Sequence, residues 1–212
     1  MTQAADSPIT VERFSKGKTF KEYLGSGIRN LDLFERNYDD LEVSSEQAAA
    51  LKALAAKPNG PHHVVVIGED WCPDVYRGLG VAQRIADAAG IELRMFERDQ
   101  NSDMIQPYLK NGEFESIPVY VFYDQDHNEL GHFVERPAKA NSEMHLLQGV
   151  IKRVTPEALT EELGHEPSED EIKAARAEAR KSYVDWQKGD VWASWRVAAV
   201  DEVIALLKAA TD

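Results

Sequence analysis

Cys72 is the only thiol in the chain, and it stands in the run Trp71-Cys72-Pro73-Asp74. The thiolate is the nucleophilic form of cysteine, so the chemistry turns on what would ionise this sulfur. Pro73 suits the first position of a helix, where its missing N–H is not needed. That places Cys72 at or just before a helix N-terminus, where free backbone N–H groups and the helix dipole favour a thiolate. Asp74 works against ionisation, and Arg77, five residues after the cysteine, offsets Asp74. Both an activated Cys72 and a buried, inert one fit this local position. Three places on, where a dithiol site would carry its second cysteine, the chain has Val75.

The elements that must hold this sulfur can be read from pattern. "HHVVVIG" (62–68) is a short β-branched apolar run, the mark of a buried strand. Residues 73–89 carry Val75, Leu79, Ala82 and Ile85 on one helical face, and Gly90 stops that helix. "IELRMFE" (91–97) alternates as a strand, and "SDMIQPYLKNG" (102–112) allows a short helix limited by Pro107. "IPVYVFYD" (117–124) and "NELGHFVE" (128–135) are strands close enough to form a hairpin, and a helix follows over 142–153. Strand, helix, strand implies a parallel pair with a right-handed crossover, to which the hairpin adds antiparallel strands. Gly78 and Gly80 lie inside the helix and suggest close helix–sheet packing.

Helices flank this block. "TFKE" (19–22), "SSEQ" (44–47) and "SEDE" (168–171) fit the capping box, and "KPNGP" (57–61) ends the N-terminal helical part. Thr155-Pro156 opens a helix that Gly164 closes, and Asp190 is placed to cap the last one. Trp186, Trp192 and Trp195 read as packing, with a surface for a partner helix as the lesser alternative. The expected organisation is a helical N-terminal extension over 1–60 packed on the core, an α/β domain over 61–153, and a helical C-terminal extension over 154–212.

Composition excludes several classes. A net charge of −13 repels phosphate backbones and anionic lipid, so no nucleic acid and no membrane is expected as a partner. No apolar run approaches the roughly 20 residues of a membrane span. The start lacks the pattern of a secretory signal, and a single cysteine asks for no oxidising compartment, so a cytoplasmic location is expected. His62 and His63 point to opposite faces of a strand, and "HNELGH" (127–132) offers two histidines without a third ligand, so no metal is expected.

Trp71-Cys72-Pro73-Asp74, after a strand and opening a helix, resembles the active-site motif of the thioredoxin superfamily. Ile117-Pro118 matches the apolar residue and cis-proline that face the active cysteine in that family. Arg98-Asp99, Arg136-Pro137 and Trp186 resemble features of a bacterial thioredoxin-family branch with a Trp-Cys-x-Asp motif and helical flanks. The resemblance implies an α/β, thioredoxin-like mixed sheet of four to five strands flanked by helices, with added helices at both termini. Val75 and Val66 stand where a resolving cysteine and a buried acid occur in dithiol members, which rules out dithiol turnover. Two functions follow from the resemblance. One is monothiol exchange, with Cys72 as catalytic nucleophile and Trp71, Pro73, Asp74, Arg77, Ile117 and Pro118 around the substrate; Arg77 would steer a glutathione carboxylate. The other is a redox-inactive module that holds a peptide or protein partner in the same groove. The implied partner is a disulfide-containing protein or small thiol, and the implied state is a monomer or weak dimer. No resident cofactor is implied; glutathione or another low-molecular-weight thiol would resolve Cys72 adducts.

Overall fold

The computed structural model describes residues 8–150 and 154–212. They form two compact units, one made of the chain as far as Pro137 together with Arg196–Asp212, the other of Ala138–Trp195.

In the first unit the chain runs α1 (Val11–Phe14), α2 (Phe20–Leu24), α3 (Leu31–Asp39), α4 (Ser45–Ala55), β1 (His63–Gly68), α5 (Pro73–Ala89), β2 (Glu92–Glu97), α6 (Ser102–Ile105), β3 (Val119–Tyr123) and β4 (Glu129–Val134). The sheet has the order β2-β1-β3-β4. β1 is parallel to β2, with Val64 opposite Leu93, and antiparallel to β3, with Val65 opposite Val121. β3 and β4 form the antiparallel hairpin. Val64, Val65, Val66 and Ile67 are all buried, as a strand covered on both faces requires.

The capping boxes form as the sequence indicates. Thr19 with Glu22 starts α2, and Ser44 with Gln47 starts α4. α5 spans the expected residues and ends at Gly90, whose φ of 74° is the left-handed conformation of a helix C-terminus. Gly78 fits the expected packing on the sheet side: an added Cβ would lie 2.6 Å from Pro118 Cγ and 2.5 Å from Tyr120 Oη. Gly80 has a different reason. A Cβ there would lie 2.8 Å from the backbone N of Tyr38, so it is α3, not the sheet, that crosses α5 at this point. The crossing is fastened by Arg84, which donates to Tyr38 O at 2.8 Å, and by Tyr38 Oη, which donates to Asp87.

The C-terminal stretch belongs to this core. Val200, Val203 and Leu207 are fully buried. Arg196 donates to Asn37 Oδ1 at 3.0 Å, and Asn37 Nδ2 donates to Leu33 O within α3.

The second unit contains α7 (Ala138–Gln148), α8 (Pro156–Leu163), α9 (Glu169–Trp186) and the start of α10 (Asp190–Thr211). α7 begins at Ala138, earlier than the expected Ser142, which bonds back to Lys139 O from inside the helix and does not cap it. The expected end of this helix, at Arg153, lies outside the described residues. Thr155 caps α8 and Ser168 caps α9. Asp190 is the first residue of α10, with Gly189 supplying the first carbonyl to Ala193. Trp186, Trp192 and Trp195 lie with ring centroids 5.5–5.9 Å apart, and Trp195 Nε1 donates to Glu143 at 2.7 Å.

Candidate functional site

β1 ends at Gly68, and the short turn Glu69–Trp71 delivers Cys72 to the N-cap of α5. The turn is tied from several sides. Cys72 N donates to Glu69 O, and Asp70 accepts from Arg29 N through its carboxylate and from Asn30 Nδ2 through its carbonyl. Glu69 is almost fully buried, and its carboxylate accepts from Asp99 N at 2.8 Å; burial pushes its carboxyl up despite that bond. Cys72 O accepts from Val75 N and Tyr76 N, the first turn of α5. Val75 itself is fully buried, and a Cβ on Gly68 would lie 2.7 Å from its Cγ1, so the second-cysteine position is filled by packed hydrocarbon.

Facing the sulfur is the segment before β3. The Ile117–Pro118 peptide bond is cis. Cys72 Sγ donates to Ile117 O at 3.8 Å. Pro118 O accepts from Glu135 N at 2.7 Å, which fastens this segment to the residues that follow β4. Burial pushes the Cys72 thiol up from its ordinary value. The N–H groups of Val75 and Asp74 and the charge of Arg77 pull it down, and the Asp74 carboxylate pushes it up again, with a net rise.

Charged groups surround the cysteine in a chain of pairs. Asp74 Oδ1 is 2.6 Å from Arg77, and Asp74 Oδ2 is 3.2 Å from Arg136. Arg136 also pairs with Glu135, which pairs with Lys110. Arg77, expected to steer an incoming carboxylate, is only 2% exposed. Its guanidinium bonds to Asp74 and to Glu135 O, so it acts as a strut beneath the site. Trp71 is the opposite case: it is 46% exposed, with the Arg98 guanidinium 5.5 Å from its ring centroid. Arg98 in turn bonds Asp99 and lies 3.8 Å from Glu115.

The structure thus brings Trp71, Cys72, Pro73, Asp74, Ile117 and Pro118 to one place, with Arg77 below it. It adds Arg136, Glu135, Lys110 and Glu69. For Glu69, Lys110 and Glu135 the sequence carries no local signal, because their roles depend on pairs formed across the fold. The histidines lie elsewhere: His127 Nε2 bonds Ile9 O, whereas His132 pairs with Glu129. Among the described residues no group of three or more histidine, cysteine or acidic side chains is arranged to hold a metal ion.

A four-stranded mixed sheet with one cysteine at the start of the helix after its central strand defines a thioredoxin-like protein. A family model described as thioredoxin matches residues 17–151, and the chain belongs to that family. Two solved structures share the fold. One is a protein of unknown function from Pseudomonas aeruginosa, 22% identical, with a TM-score of 0.59, covering 93% of this chain and 95% of the other. The second is an HIV epitope scaffold, 21% identical, with a TM-score of 0.59, covering 93% of this chain and 96% of the other. No curated protein matches the chain.

Proposed function

We propose that the chain is a monothiol thiol–disulfide exchange protein with Cys72 as its nucleophile. The observation that carries this reading is the sulfur at the N-cap of α5, 3.8 Å from Ile117 O and beside the exposed Trp71. In the proposed reaction the Cys72 thiolate attacks one sulfur of a disulfide. The old S–S bond breaks, its other sulfur leaves as a thiolate that takes up a proton, and a mixed disulfide forms on Cys72. Val75 cannot resolve this adduct. An external thiolate, from glutathione or another low-molecular-weight thiol, then attacks the substrate sulfur and releases Cys72. Net, one disulfide and one thiol become a different disulfide and a different thiol, with no net oxidation. Trp71, Pro73, Ile117 and Pro118 form the walls against which the substrate chain lies. The reducing cytoplasm is where such an external thiol is abundant.

A second reading is a redox-silent module that binds a peptide or protein partner through the same surface. It is favoured by the burial that raises the Cys72 thiol.

The two separate in cells exposed to a thiol oxidant. The exchange protein accumulates mixed disulfides with partner proteins, seen as reductant-sensitive bands on a non-reducing gel and absent from Cys72→Ser. If bound partners are identical for wild type and C72S, and no reductant-sensitive band depends on Cys72, the binding module is the correct reading.

A further inference from the structure

Two short sequence features far apart in the chain meet at the cysteine. Asp74 lies two residues after Cys72, and Arg136 follows β4. In the fold, one carboxylate oxygen of Asp74 is held by Arg77 at 2.6 Å and the other by Arg136 at 3.2 Å. The three side chains are shielded from water, at 17%, 2% and 16% exposure, so their interactions are screened less than those of surface pairs. The charged groups that act on the sulfur are Asp74 and Arg77 from its own helix and Arg136 from the segment after β4. Glu135, between Arg136 and Lys110, completes the chain of pairs.

The consequence is asymmetric. Asp74 is acidic and close to a nucleophile that must become an anion, which opposes its ionisation. Arg77 is buried and fixed by its bonds to Asp74 and Glu135 O. Arg136 comes from outside the helix and brings a second positive charge to the same carboxylate. We propose that Arg136 is a positioning residue for Cys72: it closes the clamp on Asp74, neutralises the acidic group facing the sulfur, and adds positive charge where the thiolate forms. This rests on the exchange reading, since a partner-binding module needs no thiolate.

The test is the rate of iodoacetamide labelling of Cys72 against pH in the folded full-length protein. Arg136→Gln is expected to slow labelling at neutral pH by about threefold or more and to move the profile to higher pH, as loss of a nearby positive charge requires. Arg136→Lys restores most of the rate, because charge and not only packing is supplied. Asp74→Asn moves the profile to lower pH. An unmoved profile in R136Q, equal losses in R136K and R136Q, or a D74N profile that stays put or rises would each overturn the proposal. If R136Q does not fold, R136K and D74N carry the test: an R136K rate threefold or more below wild type at neutral pH, or a D74N profile that stays put or rises, overturns the proposal. Labelling reads the sulfur alone: profiles that shift as stated while no variant forms a mixed disulfide support the role of Arg136 and refute the exchange reading.

Discussion

Val75 is the residue that separates this site from a dithiol one. It is fully buried against Gly68, so it excludes water from the space where a second sulfur would act. Val75→Cys is therefore expected to shorten the life of a Cys72 mixed disulfide at least tenfold, because an internal thiol competes at high effective concentration. Intact-mass measurement of the decaying adduct checks this. Gly78, on the same helix, faces the segment opposite the sulfur. Its Cβ would meet Pro118 and Tyr120 within 2.6 Å, so Gly78→Ala must displace the segment facing the sulfur. The expected cost is about 1–3 kcal/mol by overpacking, read as a lower urea midpoint. The glycine was visible in the sequence, and so were the cysteine, Pro73 and Asp74, since their roles follow from position along one helix. The burial of Arg77 was not legible, because an arginine five residues from a cysteine reads equally well as exposed.

Elements carry the pH dependence. The segment around α1 is held against the β1 and β3 ends by a cluster of rings. Phe14 meets His63 at 4.7 Å and His127 at 5.9 Å, and His127 stacks on Tyr123 at 4.4 Å. His127 Nε2 bonds Ile9 O, while the Nδ1 atoms of His63 and His127 are buried with no hydrogen-bond partner among the described residues. Burial lowers the affinity of His63 for a proton, with His127 and His62 adding repulsion and Glu92 and the Asp124 carbonyl opposing it. A histidine whose folded pKa is depressed takes up its proton more readily when unfolded. Its contribution is complete above about pH 6.5, the unfolded value, and is lost as pH falls toward the folded one. Glu129 and Glu135 are held below the usual carboxylate range, so their contribution is present above about pH 4.3 and fades only under more acid conditions. Thermal melts are expected to be flat above pH 6.5 and to fall between 6.5 and 5, with His63→Gln removing most of that first fall. Equal slopes for wild type and variant in this window would contradict the assignment. The strands, α5 and its glycine stop were legible because β-branched runs and caps act locally. The start of α7 at Ala138, four residues before the expected Ser142, carries no cap residue or apolar spacing that marks it in the sequence.

At the scale of the whole molecule, the last residues of the chain are part of the core of the first unit. Val200, Val203 and Leu207 are buried there, and Arg196 reaches Asn37. Asn37→Ala removes the carbonyl oxygen that Arg196 bonds, and should destabilise that unit by about 1–3 kcal/mol in chemical unfolding. The sequence marked Trp192 and Trp195 of the last helix as packing residues but not what the rest of that helix packs on, since an aromatic names a buried face and not what covers it. The same holds for Asp74 and Arg136, which β2, β3 and β4 separate in sequence and which meet only in the folded chain. Among the described residues no helix is long and apolar enough to cross a membrane.

Reaction of the folded protein with a disulfide-bonded model peptide, followed by intact mass, decides whether Cys72 exchanges disulfides. The expected result is a single adduct on Cys72 that persists after excess peptide is removed, disappears when glutathione is added, and never forms on C72S. A folded protein that gains no adduct at pH 7–8.5, while the same chain in denaturant is modified at Cys72, would contradict it.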